Sequence, residues 1–81
     1  MSVTTRIYFK SKGKEFTLPR LEENIDRLGI QLVIGDKIER QSLPVEDRML
    51  FDNIEFPPTS LTVNHRAIDI QNGVIRVIVE G

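Results

Sequence analysis

Ala67-Ile68-Asp69-Ile70-Gln71-Asn72-Gly73-Val74-Ile75-Arg76-Val77-Ile78-Val79-Glu80-Gly81 is the stretch of sequence that decides the fold. Apolar and polar residues alternate on both sides of Asn72-Gly73. This dipeptide favours a two-residue type I′ turn, because asparagine and glycine both tolerate the positive φ that such a turn requires. This turn predicts a β-hairpin with a fixed pairing: Ile70 with Ile75, Ile68 with Val77, Asp69 with Arg76, Ala67 with Ile78, and His65 with Glu80. Because Val74 and Ile78 alternate with Ile75, Val77 and Val79, the last strand is apolar on both faces.

The composition indicates one small globular domain over residues 1–81. Hydrophobic residues make up 40% of the chain and charged residues 28%, with a net charge of -1. These values are ordinary for a folded domain and give no general attraction to nucleic acid or to an anionic membrane. Cysteine is absent, so neither disulfides nor thiolate metal sites can support the core. No signal peptide or membrane span is predicted, and we expect a cytoplasmic protein.

The first part of the chain predicts a hairpin followed by a short helix. Apolar residues alternate with polar ones from Val3 to Phe9 and again over residues 15–18, around a glycine-containing turn with a basic tip. Pro19 suits the first turn of a helix, and Leu21, Ile25 and Leu28 form one apolar stripe that ends at Gly29. This helix is too short to be stable alone, so we expect it to pack on the sheet.

The middle of the chain predicts further strands with an uncertain connection between them. Residues 30–34 read as a third strand, central in the sheet, and residues 37–40 as a short return strand. Residues 44–51 fit a helical turn beginning at Pro44, and residues 48–51 fit an extended segment equally well. The prolines at positions 57 and 58 predict a loop. Residues 60–64 read as another strand.

Together these elements predict an α+β fold with a small, mostly antiparallel sheet of about five strands and one short helix. The hairpin-helix-strand start, and the strand with its polar return over residues 30–43, resemble the β-grasp order of ubiquitin-like domains. The resemblance covers about half the chain and rests on element order alone. It implies a β-grasp-like sheet, while a roll and a small barrel stay open. The Glu80-Gly81 ending lacks the di-glycine of ubiquitin-like carriers, so the resemblance does not extend to a carrier role.

Residues with catalytic chemistry are few, and we predict no enzymatic activity. His65 is the only histidine, so it has no second histidine or cysteine with which to hold a metal. Glu46, Asp47 and Asp52 form an acidic cluster, but paired carboxylates do acid–base chemistry only in a dry cleft, for which so small a chain has little volume. No phosphate-binding glycine loop is present. We therefore expect no catalytic residue, no metal site and no cofactor.

Two kinds of binding remain as hypotheses. The preferred one is a non-catalytic protein–protein interaction module, a subunit or adaptor of a larger assembly or a self-associating protein, because the last strand is apolar on both faces. Its predicted contact residues are Phe56, Pro57, Pro58, Val74, Arg76 and Ile78. The alternative is a nucleic-acid-binding module that uses the basic first hairpin. Its predicted contact residues are Arg6, Tyr8, Lys10, Lys12 and Lys14.

Overall fold

A computed structural model describes residues 3–81 as a five-stranded sheet with two short helices. The elements run β1 (Thr4–Ser11), β2 (Lys14–Thr17), α1 (Pro19–Leu28), β3 (Lys37–Glu39), α2 (Val45–Arg48), β4 (Ser60–Asp69) and β5 (Val74–Glu80). Two 3₁₀ turns, Arg40–Ser42 and Met49–Asn53, lie on either side of α2. The α+β class, the first hairpin, the short helix and the terminal hairpin are confirmed.

The sheet is mixed, because one of its two inner pairs of strands is parallel. The strand order is β2-β1-β5-β4-β3, and β1 runs parallel to β5 with Ile7 opposite Val77. All other neighbouring strands are antiparallel. A parallel pair needs a long crossover, which the chain between β1 and β5 supplies. The prediction of a mostly antiparallel sheet is confirmed, because three of the four strand pairs are antiparallel, and the parallel pair is an addition to it. The sheet is open, with β2 and β3 at its edges, and this excludes a closed barrel.

The core lies on one face of the sheet, under the helices. Its members from the strands are Ile7, Phe9, Leu61, Val63, Val77 and Val79, all of which are buried. Leu21 and Ile25 of α1 and Phe51 of the second 3₁₀ turn belong to the same cluster, as do Leu18, Leu32 and Leu43. The Phe9 ring lies at the centre, with its centroid 5.1 Å from that of Phe51. Both helices therefore occupy the same side of the sheet.

The terminal hairpin forms with a different turn and register from those predicted. Four residues, 70–73, connect β4 to β5, and Ile68 lies opposite Ile75 instead of Val77. Asn72 keeps a negative φ, and only Gly73 adopts a left-handed φ of 66°. The Asp69 carboxylate accepts hydrogen bonds from the Asn72 backbone N–H (3.1 Å) and side-chain amide (2.9 Å). This side-chain capture of Asn72 favours the longer loop over the type I′ turn.

A two-residue turn with positive φ at both positions occurs instead in the first hairpin. Lys12 has a φ of 51° and Gly13 a φ of 78°, and Ser11 pairs directly with Lys14. Lysine is rare in this conformation, so no propensity rule points to it, whereas Gly13 is the expected second residue. The predicted hairpin with a basic tip is confirmed.

The predicted third strand over residues 30–34 is wrong. Gly29 ends α1 with a left-handed φ of 69°, as predicted, and the segment that follows has no strand partner. Leu32 packs into the core, while the Asp36 carboxylate accepts a hydrogen bond from the Val33 N–H at 2.9 Å. Only β3, after the turn at Gly35, joins the sheet. Of the two readings for residues 44–51, the helical turn is the one observed.

Candidate functional site

The face of the sheet opposite the helices is the candidate site, and we name it the open face. It consists of the strand residues that alternate with the core residues: Thr4, Arg6, Tyr8 and Lys10 of β1, Val74, Arg76, Ile78 and Glu80 of β5, and Thr62, His65, Ala67 and Asp69 of β4. None of these side chains belongs to the buried core. Within residues 3–81, both helices and the second 3₁₀ turn lie on the other side.

A β-bulge in β4 places His65 and Ala67 on this face. Val63 pairs with Val79, but the next pair is His65 with Ile78, so Asn64 is an extra residue without a partner. An inserted residue reverses which side chains point to which face from that position onward. No sequence signal marked this bulge, and the sequence predicted His65 opposite Glu80 rather than Ile78.

The centre of the open face is an apolar row across three strands. Tyr8 of β1, Ile78 of β5 and His65 of β4 are neighbours in register. Tyr8 and Ile78 are half-buried by their neighbours alone, and His65 is exposed. Val74 is half-buried in the last row of the face, between Thr4 and Asp69. A tyrosine and an isoleucine side by side on an uncovered sheet face give a flat surface with an apolar centre and a polar tip.

Two arginines border this apolar row. Arg6 and Arg76 are register partners on the parallel pair β1 and β5. Each has an acidic partner: Arg6 Nη1 lies 3.3 Å from Glu22 of α1, and Arg76 Nη1 lies 3.5 Å from Asp69. The predicted pairing of Asp69 with Arg76 thus forms as a diagonal contact. About half of each arginine side chain remains exposed and available to a partner.

The pKa of the Asp69 carboxyl on the open face is lowered from its ordinary value. The Asn72 side-chain amide lowers the pKa of the Asp69 carboxyl by donating a hydrogen bond to it, and the Asn72 backbone N–H adds to this effect. The Arg76 guanidinium also lowers the pKa, whereas partial desolvation opposes the change. The Asp69 carboxylate therefore stays ionised to a lower pH than usual, and it lies 3.5 Å from Arg76 Nη1.

The lysines predicted for nucleic-acid binding are separated by carboxylates. Lys10 lies between Glu15 of β2 and Glu80 of β5 in register, and its Nζ lies 4.0 Å from Glu15. Lys12 and Lys14 are at the hairpin tip and line a groove beside the Phe56-Pro57-Pro58 loop. Arg6 and Tyr8 lie on the open face, where Arg6 is paired with Glu22. The predicted residues do not form one continuous basic track.

The Phe56-Pro57-Pro58 loop lies apart from the open face. Phe56 is 85% exposed and has a φ of 56°, a conformation rare for an aromatic residue. Arg40 holds the loop by donating hydrogen bonds to the carbonyl groups of Pro57 (3.2 Å) and Pro58 (3.0 Å). Pro58 packs against Gly81, which is about 10 Å along the strand from Ile78. The structure thus divides the predicted partner-binding residues into two regions.

A groove of about 720 Å³ separates this loop from the tip of the first hairpin. Phe56 and Pro58 line one side, and Lys12 and Lys14 line the other. Lys10 lines the groove as well, which brings the number of lysines to three. Three carboxylates, those of Glu15, Glu55 and Glu80, also line it. This balance gives the groove no preference for an anion.

One buried acidic residue has a structural role that the sequence did not indicate. Asp47 of α2 is only 2% exposed. Its carboxylate accepts hydrogen bonds from the backbone N–H groups of Arg20 (3.3 Å) and Leu21 (2.7 Å), at the start of α1. Residue 18 precedes α1 and is a leucine, which cannot cap the helix itself. The acidic cluster in the sequence therefore contains a helix cap supplied from a distance.

Comparison with known proteins gives no relative for this chain: a scan against protein-family models, a search of curated proteins and a search of solved structures each found no match. Over residues 3–81, no group of three or more histidine or acidic side chains is arranged to hold a metal ion. In the same part of the chain, neither helix has the length and apolar character needed to cross a membrane. The open face is thus the basis for any functional argument.

Proposed function

We propose that this chain is a small, non-catalytic protein–protein interaction module, a subunit or adaptor of a larger assembly, that binds a protein through the open face of its sheet. The observation that supports the proposal is the uncovered row of Tyr8, Ile78 and His65. Small domains usually cover one sheet face and solvate the other with polar residues. Here the solvated face has an apolar centre instead.

The arrangement of this face matches what protein interfaces use. An aromatic residue and arginines are enriched at the centres of interfaces, and a polar rim surrounds them. Tyr8 and Ile78 provide the apolar centre, and Arg6 and Arg76 provide hydrogen-bond donors beside it. Asp69 and Glu80 lie farther out and supply part of the rim. The Phe56-Pro57-Pro58 loop is a second, separate contact region in this proposal.

Affinity capture with matched variants tests this proposal. Ile78→Lys places a charge at the centre of the open face, and Val45→Lys places the same charge on α2, on the opposite side of the molecule, where Val45 is 56% exposed. Immobilised wild-type protein and both variants are incubated with extract from the native source, and bound proteins are compared by quantitative mass spectrometry. Thermal unfolding monitored by circular dichroism checks that each variant is folded.

We expect a protein that wild type and Val45→Lys retain and Ile78→Lys loses by at least about tenfold, because a charge buried at an interface costs more than about 1.4 kcal/mol. Equal capture by a folded Ile78→Lys variant would contradict a role for the open face. Nucleic-acid binding predicts a different result: binding to single- or double-stranded oligonucleotides at low salt, with an affinity that falls steeply as salt is added. Such binding would favour the alternative module.

A further inference from the structure

We propose that a second copy of this chain pairs with the free edge of β3, forming a two-fold symmetric dimer with one continuous sheet. This inference concerns a different surface from the open face and does not depend on the proposed function. It rests on the register of β3, on the charges of its two outward residues and on the apolar groove beside it.

The register of β3 leaves two residues with their backbone groups directed away from the sheet. The Val63 N–H donates to the Asp36 carbonyl (2.9 Å), and the Arg40 N–H donates to the Thr59 carbonyl (3.0 Å). Along an antiparallel strand, the backbone N–H and C=O groups of successive residues point alternately to one neighbour and to the other. The groups of Asp36, Ile38 and Arg40 therefore face β4. Those of Lys37 and Glu39 face outward. Ser42 donates to the Glu39 carbonyl at 2.7 Å, but a carbonyl oxygen has a second lone pair.

These two residues make the edge complementary to itself. In an antiparallel pair centred on Ile38, Lys37 of one copy lies opposite Glu39 of the other, and Glu39 opposite Lys37. Lys37 and Glu39 then each exchange backbone hydrogen bonds with the residue opposite. Ile38 lies opposite the Ile38 of the second copy, in a pair without hydrogen bonds, where the two backbones are closer together. Each opposed lysine and glutamate also forms a cross-strand ion pair on the open-face side. One symmetric register thus satisfies the backbone groups and the charges together.

The other side of β3 offers apolar surface to the same partner. A groove of about 470 Å³ runs between α1 and β3, lined by Ile25, Leu28, Ile30, Leu32, Ile38 and Pro44 among others. Leu28 is 63% exposed and Ile30 is 48% exposed, although both are large aliphatic side chains. The two-fold axis is perpendicular to the sheet at Ile38, so the grooves of the two copies join across it. Their exposed side chains then lose water on both sides of the joint.

The opposite edge of the sheet lacks this complementarity. On β2 the outward backbone groups belong to Glu15 and Thr17, because the Leu18 N–H donates to Ile7 of β1. A symmetric pair centred on Phe16 would place glutamate opposite threonine, with no ion pair. Lysine on a short edge strand commonly prevents pairing, but on β3 a glutamate two residues away neutralises it in this register. Self-association through β3 is therefore favoured over association through β2.

Sedimentation equilibrium on the purified chain tests the dimer, with charge reversals as variants. We expect wild type to dimerise between about 10 μM and about 1 mM, the range of a small interface. Lys37→Glu and Glu39→Lys each create two like-charged pairs, so each should weaken dimerisation by about tenfold or more. The double variant Lys37→Glu/Glu39→Lys restores both pairs and should dimerise like wild type. Lys14→Glu makes the same change in net charge away from β3 and should leave dimerisation unchanged.

Mixing the two single variants gives the sharpest test. In a heterodimer of Lys37→Glu with Glu39→Lys, one pair joins two introduced residues and the other joins two native ones, and both pairs are of opposite charge. The mixture should therefore dimerise more tightly than either variant alone. A monomeric wild type throughout the concentration range would overturn the proposal. So would a Lys37→Glu variant that dimerises as wild type does, since the contact would then lie elsewhere. All variants lie at exposed positions, and thermal unfolding confirms that they fold.

Discussion

Removal of the Asp47 carboxylate should destabilise the domain more than any other single acidic substitution on α2. Asp47 accepts hydrogen bonds from the Arg20 and Leu21 N–H groups, and the Glu22 N–H donates to the Leu18 carbonyl. The first helical residue is a proline and has no N–H. All the orphan donors at the start of α1 are therefore satisfied, and Asp47 satisfies two of them.

The expected cost follows from these contacts. A hydrogen bond to a charged acceptor contributes about 1.5–3 kcal/mol, and a helix cap about 0.5–2 kcal/mol. Because Asp47 is almost fully buried, Asp47→Ala leaves two N–H groups without a ready replacement. We expect a loss of about 2–4 kcal/mol, against a total stability on the order of 4–12 kcal/mol for a chain of 81 residues. Asp47→Asn keeps one acceptor oxygen and should lose about half as much.

Urea unfolding monitored by circular dichroism measures these changes. The midpoint should fall for Asp47→Ala while the dependence on urea stays constant, which indicates a change in stability rather than in the extent of unfolding. Glu46→Ala is the matched control, because Glu46 is the exposed neighbour on the same helix, and we expect a change of less than about 0.5 kcal/mol. If Asp47→Ala were no more destabilised than this control, the cap would contribute nothing and our reasoning would be refuted.

Two further predictions concern other carboxylates. Glu22→Ala should lower the free energy of unfolding by about 2 kcal/mol and speed hydrogen exchange at the Ile7 amide, because the Ile7 N–H donates to the Glu22 carboxylate at 3.2 Å. Glu23→Ala is the control, since Glu23 is exposed on the same helix. Equal exchange at Ile7 in the two variants would refute this role of Glu22. Asn72→Ala should raise the pKa of Asp69 in an NMR titration, because the donors that lower it come first from Asn72, and an unchanged pKa would contradict that cause. Because the pKa of Asp69 is lower in the folded protein, ionised Asp69 stabilises the fold. This contribution is fully present at pH values above the usual pKa of aspartate, and it is lost as the pH falls through the folded pKa of Asp69.

The faces of the terminal hairpin could be predicted from sequence, but its register could not. A strand has a side-chain period of two, so the observed displacement by two residues leaves every side chain of the hairpin on its predicted face. Val74, Arg76 and Ile78 accordingly lie on the open face as expected. The choice of turn depended on Asp69, whose side chain holds Asn72 in the longer loop. Such a local hydrogen bond competes with the type I′ turn, and propensity alone does not rank the two.

Other features depended on contacts between distant parts of the chain. Residues 30–34 have strong β-propensity, but a strand also needs a neighbour, and β4 pairs with β3 instead. The parallel pairing of β1 with β5 joins the two ends of the chain, and no local pattern encodes it. The bulge at Asn64 and the helix cap from Asp47 also depend on contacts with distant parts of the chain, so no local pattern predicts them. The chemistry of the open face was thus partly predictable, whereas its boundary was set by the fold.

The acidic side chains explain why the two edges of the sheet differ in what they can bind. Where β2 ends, the edge of β1 is closed by α1: Glu22 accepts from the Ile7 N–H, and Asp26 accepts from the Thr5 N–H at 3.3 Å. These carboxylates occupy backbone donors that another strand would need, so this part of the edge is blocked. Among the described residues, no carboxylate from a helix binds the backbone N–H groups at the free edge of β3. The backbone groups of Lys37 and Glu39 are directed outward there. The fold therefore uses acidic residues to close one edge internally, and at the other edge it leaves a charge pair that a second copy can match.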